Sequence, residues 1–348
     1  MGFNKLTDYK LAKKANGVIL IVVLWIIVIS LTMVTILASN VRLSVATILQ
    51  QSNALQNKAQ LMAAINLAKM EILLEKSTLK NSRLNANKRN RFNGQPINLS
   101  YQYETNIVVR INELSGLINI ARISRKNFQL LLEKQLESLE KSIDVEFLLD
   151  AWQDWTDRDN LTRLHGAESN FYQQKEPPYQ PANSKLTSVE ELKLIKGFAD
   201  IFKDIDLNSI FSIYGPSASI NPNNASREAL HLIPGLTDPL VEKILSQRNI
   251  SPFIAMSDFY ALFSADEINK IKPWFSLRKS NFFAIIVYPK EFEKNALLNT
   301  NNEFFAYKEL VQYKGLNTLP VSLKVYPMSK INLNPKNHTR LKNNEEDN

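Results

Sequence analysis

Cysteine is absent from the 348 residues. A chain without it forms no disulfide, offers no thiolate to zinc and has no cysteine nucleophile, so a translocated domain built from it is held by its core or by an ion bound through other atoms. Only three histidines occur, His165, His231 and His338, widely separated, which leaves little material for a histidine-rich metal centre or a Ser-His-Asp triad. No Walker loop, G-x-G-x-x-G, G-x-S-x-G or H-E-x-x-H is present, and nothing in these patterns argues for an enzyme. A block of five like charges is also missing. The net charge of +8 is therefore read as solvated surface, with lysines and arginines interleaved among acids, rather than as a nucleic-acid or lipid arm.

Charge itself is missing from one stretch, Val18–Ala38, VILIVVLWIIVISLTMVTILA. At ~1.5 Å per residue such a helix crosses the roughly 30 Å hydrocarbon core of a bilayer. The preceding MGFNKLTDYKLAKKANG carries Lys5, Lys10, Lys13 and Lys14 against Asp8, which keeps this end cytoplasmic and sends the rest of the chain across. From Ser39 to Lys76 there is neither proline nor glycine, and Val41, Val45, Ile48, Leu55, Met62, Ile65 and Ile72 keep one apolar stripe on one helix face. The pattern predicts one helix over Val18–Lys76, about 88 Å long. A rod of that kind invites packing beside similar rods.

The polar run Asn81–Gly94 ends the rod. Ile97–Glu104, Ile107–Asn112 and Leu117–Ile120 then read as strands of a small antiparallel sheet laid on the stripe. From Ser124 the pattern turns helical, over Phe128–Leu139, Ser142–Thr156, Ser188–Lys196, Ile201–Ile213, Ser226–Leu232, Asp238–Arg248, Met256–Leu262 and Ala265–Ile271. Asn281–Tyr288, Glu303–Gln312 and Pro320–Tyr326 return to strand-like composition. The fold class is α+β: a long N-terminal transmembrane and amphipathic helix on a small antiparallel sheet, with a large all-α domain inserted. Expected boundaries are a basic N-terminal segment over 1–17, the membrane part of the helix over 18–38, the rest of the helix and first strands over 39–123, the inserted domain over 124–277, returning strands over 278–333 and a disordered tail over 334–348. A weak echo links Ile118-Asn119 and Ser124-Arg125 to Ile220-Asn221 and Ser226-Arg227, two similar loop-to-helix openings.

The acidic segment Ala151–Asn170, AWQDWTDRDNLTRLHGAESN, gathers Asp154, Asp157, Asp159, Glu168 and Asn170 around a break at Gly166. Calcium takes six to eight such oxygens on a bendable loop, although the EF-hand spacing is absent and composition alone supports a solvated, capped loop equally well. Ile220–Arg248 is similar to a helix-hairpin-helix, two helices joined by Pro234-Gly235-Leu236. In DNA-binding versions a second glycine exposes the backbone to phosphate. Here Thr237 and Asp238 follow, which disfavours nucleic acid and leaves a hairpin used for packing. Trp152, Trp155 and Trp274 read as core or interface.

A basic leader ending at Gly17, an apolar run starting at Val18 and a long amphipathic helix resemble a type IV pilin-like precursor, cut by the prepilin peptidase between those two residues. The fifth residue after the cut, usually Glu, is Val22, a departure that marks the K class of type II secretion pseudopilins (general secretion pathway protein K). Leu148–Gly197 resembles the same class through Asp154-Trp155, Asp157, Asp159, Gly166-Ala167-Glu168, Pro177-Pro178-Tyr179, Pro181-Ala182-Asn183 and Ser188-Val189-Glu190-Glu191-Leu192, departing at Ser169, where an acid is common. The resemblance implies a minor pseudopilin at the tip of the pseudopilus, a structural component for export of folded proteins across the outer membrane. It implies peptidase cleavage and methylation, a single pass through the inner membrane with the bulk of the chain periplasmic, and calcium in the helical domain. The implied partners are the I- and J-class minor pseudopilins, the major pseudopilin and the prepilin peptidase, together with secreted substrates or the outer-membrane secretin. Two readings of other classes stand beside it: a membrane-anchored DNA-uptake protein using the hairpin, and an anchored hydrolase needing paired carboxylates, for which Asp154, Asp157 and Asp159 are the candidates.

Overall fold

The structure, a computed structural model, describes residues 16–78, 92–99, 106–203, 205–292 and 303–332. The leader before Asn16, the turn over 81–91, the strand residues 100–104 and the tail from Asn334 lie outside the described residues. The chain divides into two units, Met1–Gln60 and Leu61–Asn348.

Helix α1 runs unbroken over Asn16–Thr78. Two hydroxyls in its apolar part turn back on the helix itself: Thr32 and Thr35 donate to the carbonyls of Ile29 and Leu31, both at 2.8 Å. These bonds satisfy polar hydrogens within the helix, as hydrocarbon requires. In the first unit the large apolar residues from Val18 to Leu55 are exposed, and this stretch is long and apolar enough to cross a membrane.

In the second unit the end of α1 lies on a sheet. Strands β1 (Asn93–Pro96), β2 (Ile107–Glu113), β5 (Phe282–Pro289), β6 (Glu303–Gln312) and β7 (Val321–Asn332) are ordered β1-β2-β5-β6-β7, each antiparallel to its neighbour. Ala64, Ile65, Ala68 and Ile72 recur at helical spacing and pack on Val109, Ile111, Phe283, Ile285, Val287 and Val311, which alternate along their strands. The small alanines let helix and sheet approach closely. Across the same interface Lys69 and Glu309 meet at 2.6 Å, both almost wholly buried. The opposite face of the sheet carries Ala284 and Leu310, packed with Leu114 and Leu117 at the root of the helical insert.

The insert occupies residues 114–281, between β2 and its neighbour β5, whose ends are paired at Glu113 and Phe283. Glu113 closes the mouth: its Oε1 accepts from the Ser115 hydroxyl at 2.8 Å and from the Ser280 backbone N–H. Ser280 in turn accepts the Lys76 ammonium of α1 at 2.9 Å on its carbonyl. Burial holds the pKa of Lys76 below the usual lysine value.

Within the insert, α2 (Arg125–Ser138), α3 (Val145–Thr156), α7 (Arg227–His231), α8 (Asp238–Ile250) and α9 (Ala265–Ile271) stand within a few residues of their expected positions, and 3₁₀ turns replace the helices expected near Val189–Leu194 and Met256–Ala261. Two expectations are corrected. Leu117–Ile120 does not join the main sheet: β3 (Ile118–Asn119) pairs in parallel with β4 (Phe211–Ser212) inside the insert. Ile201–Ile213 is not one helix: α5 (Phe198–Ile201) ends where that stretch begins, Asp206 caps a fresh turn, α6 (Leu207–Ile210), by accepting from the Asn208 N–H at 3.0 Å, and Phe211 then enters β4. The β1 strand lies at Asn93–Pro96, and the described residues 97–99 are not strand.

The sequence echo is a repeated local structure. Asn119 accepts from the Ala121 N–H and Asn221 from the Asn223 N–H, both at 3.1 Å, and Ser124 and Ser226 cap the helices that follow. The segments that lead into these two openings also touch. Asn221 N–H donates to the Ser115 carbonyl at 2.7 Å, and a Cβ on Gly116 would fall 2.2 Å from the Asn224 carbonyl oxygen, so no larger residue fits there. α7 and α8 meet around buried Leu230, Ile233, Leu236, Val241 and Ile244, with Gly235 turning at φ +87°.

Candidate metal centre

Helix α3 begins at Asp144, whose carboxylate accepts from the Glu146 N–H at 3.0 Å, and its apolar face buries Leu148, Leu149, Ala151 and Trp155. That packing carries Asp154 into the interior, fully buried. Trp155 sits edge-on to Tyr172 at 5.1 Å and Trp152 to Phe128 at 4.9 Å, so both act as core residues. Asp157 ends the helix in extended conformation, and the chain then loops through Asp159 and back past Asp154 to Glu168.

Arg163 makes that return possible. Its Nη1 lies 2.6 Å from both Asp154 Oδ1 and Asp157 Oδ2, and its backbone N–H donates to Asp154 Oδ2 at 3.2 Å. Next the chain passes so close to Asp154 that a Cβ on Gly166 would lie 1.8 Å from Oδ2. Glycine is needed there for proximity. The far side of the loop is fastened by Lys196, whose ammonium donates to the carbonyls of His165 at 3.2 Å and Gly166 at 3.1 Å. His165 stacks on Phe147 with ring centroids 3.9 Å apart, too occupied with packing to suggest a ligand.

Of the five residues singled out in sequence, carboxylate oxygens of Asp157, Asp159 and Glu168 all lie within 4.8 Å of one another. Asp154 stands behind them with both oxygens engaged by Arg163. Asn170 is exposed on the short helix α4 (Ser169–Tyr172) that Glu168 precedes. Gly17 and Val18 fall in the first turn of α1. Arg163 carried no sequence signal, since an arginine among aspartates reads as interleaved surface charge.

The acids fit a hard divalent cation. Glu168 is 4% exposed, and neither of its carboxylate oxygens has a hydrogen-bond partner among the described residues; Asp157 Oδ1 is likewise buried and unpartnered. Burial, and after it the charges of Asp154, Asp157 and Asp159, push the Glu168 pKa up to about 7. Left alone, this group holds a proton or repels its neighbours. Oxygens bound to one calcium at ~2.4 Å lie no more than about 5 Å apart, a separation these three carboxylates already satisfy.

A long N-terminal helix on an antiparallel sheet interrupted by a helical insert defines a pseudopilin fold. A chain in the crystal structure of the GspK–GspI–GspJ complex from the enterotoxigenic Escherichia coli type 2 secretion system shares it, with a TM-score of 0.54 at 15% identity over 80% of this chain and 98% of that one. Residues 111–202, which hold the whole acidic loop, match the family described as type II secretion system (T2SS), protein K. The chain is also 39% identical over 70 residues to the type II secretion system protein K of Aeromonas hydrophila, covering 18% of this chain and 21% of that protein. It is 27% identical over 135 residues to a putative protein K of Escherichia coli K12, covering 37% and 41%. These matches span a fifth to two fifths of the relatives' lengths. The resemblance read from the leader and the acidic segment is the one the comparisons return.

Proposed function

We propose that this protein is the K-class minor pseudopilin of a type II secretion pseudopilus, placed at its tip, where it helps to assemble the filament that exports folded proteins. The observation that carries the reading is the match over residues 111–202, which takes in the end of β2 and the first half of the helical insert that opens the sheet between β2 and β5. Removal of the leader between Gly17 and Val18 frees the apolar part of α1 as the anchor in the inner membrane, with the second unit in the periplasm. The K–I–J complex solved from enterotoxigenic Escherichia coli supports I- and J-class minor pseudopilins as partners. The major pseudopilin and the prepilin peptidase complete the set. Calcium held by Asp157, Asp159 and Glu168 completes the loop; the ion would neutralise carboxylates that the chain brings together without enough cations of its own.

The test is affinity capture of the mature protein from membranes, with its neighbours identified by mass spectrometry. Recovery of other small pilin-like subunits is expected. Their absence, with the protein itself intact, would overturn the reading.

A further inference from the structure

A cavity of about 610 Å³ lies between the insert and the sheet face opposite α1. Its volume falls in the range of ligand sites, roughly 300–1,000 Å³. On its sheet side stand Lys308 of β6 and Lys324 of β7, flanking one ring: their ammonium groups lie 5.5 Å and 4.9 Å from the centroid of Tyr326. Lys324 hydrogen-bonds Tyr326. Lys308 has neither a hydrogen bond nor an ion pair among the described residues, and burial lowers its pKa. Its opposing charges, Asp206 and Glu190, stand beyond ion-pair distance, and a half-buried ammonium with a second one nearby is costly to leave unpaired.

The acids that line the same cavity, Glu190 and Asp206, sit at its exposed rim and are already used. Glu190 accepts from the Asn208 amide at 2.6 Å and from the Ser188 hydroxyl, and Asp206 caps α6. Asn112 Oδ1, a buried acceptor without a partner among the described residues, adds a place for a donor. The unsatisfied chemistry is thus the Lys308 ammonium and the Asn112 acceptor, with Lys324 held nearby through its bond to Tyr326, facing a space several residues wide.

We infer that this cavity binds a carboxylate-bearing ligand, its acid group paired with Lys308. Such a group has two sources, a free small carboxylate or the acidic side chain of a peptide segment.

The full-length protein in detergent is titrated by calorimetry at low salt with succinate and, separately, with a short capped peptide of alternating aspartate and alanine. Saturable binding of at least one probe is expected, and which one binds tells the sources apart. Lys308→Met keeps the shape and removes the buried charge, so it is expected to fold with an unchanged or higher melting temperature while weakening the bound probe at least about tenfold. Failure of both probes to bind at millimolar concentration would overturn the inference. So would equal binding by a folded Lys308→Met variant, which would mean the lysine is only a structural charge facing the acidic rim.

Discussion

A single buried carboxylate gives the acidic loop its pH behaviour. Glu168 keeps its proton up to about 7 in the native state, against 4.5 for an unperturbed glutamic acid. Between those values the native state binds more protons than the unfolded one, so in chelator stability falls as pH rises from about 4.5 to about 7. On the proposed calcium site the ion would take the place of the proton, so melting temperatures measured with the ion in excess should lose that slope. A calcium ion that binds only the native state adds roughly 2.7 kcal/mol at a hundredfold excess over its Kd. Melts with calcium and with chelator should therefore separate clearly, and the gap should vanish in the double variant Asp157→Ala, Asp159→Ala. Superimposable curves would return the segment to a plain acidic loop. Gly166→Ala places a methyl on the buried Asp154 carboxylate and should cost about 1–3 kcal/mol, read by denaturant unfolding in chelator. Sequence made the acids legible because hard oxygen donors collect there. It did not show that Arg163 occupies Asp154, nor that Gly166 is required by the approach of a carboxylate, because these depend on the chain folding back across nine and twelve residues.

Elements with a strong period were readable and short ones were not. The rod announced itself through a stripe at three- and four-residue spacing and the absence of helix breakers, and two capped helices of the insert through Ser124 and Ser226. Leu117–Ile120 reads as a strand of the main sheet because its apolar residues say only that it is extended and buried; its partner, Phe211–Ser212, is over ninety residues away. Likewise Ile201–Ile213 keeps a helical period through Asp206, where a capping carboxylate starts the chain afresh. The join between α1 and the sheet offers a direct measurement. Lys69→Met strands Glu309 in the interface and should destabilise the protein by about 3–5 kcal/mol, whereas Lys69→Met with Glu309→Leu should recover most of that loss. A double variant as unstable as the single one would show that packing, not charge, sets the cost.

At the scale of the molecule, α1 buries its stripe from Ala64 to Ile72 on its own sheet and leaves Val41, Val45, Ile48 and Leu55 exposed. Exposed apolar rows of this kind call for other helices. Val22 fits the proposed tip placement: a subunit with none ahead of it has no terminal ammonium to meet, and a glutamate there would leave an unpaired carboxylate in lipid. Single cysteines along Val41–Ile72, unambiguous in a cysteine-free chain, should cross-link to other pseudopilins and not to a second copy; abundant homodimers would assign the protein to the shaft. Gly17→Val should leave the precursor uncut, seen as slower migration on a gel in cells that carry the peptidase. The division into rod, sheet and insert was legible because strand-like composition resumes after the helical block, but not that the insert leaves and returns between adjacent strands. That detail sets an order of events. Joining β2 to β5 across residues 114–281 rather than across a four-residue turn adds about 3 kcal/mol of loop-closure entropy. A folded insert removes that cost, since its own hydrogen bonds, Asn221 N–H to the Ser115 carbonyl and Ser276 N–H to the Ile220 carbonyl, draw its two ends together. The helical block should therefore acquire protection from hydrogen exchange before the sheet does, and the sheet waits for it to close.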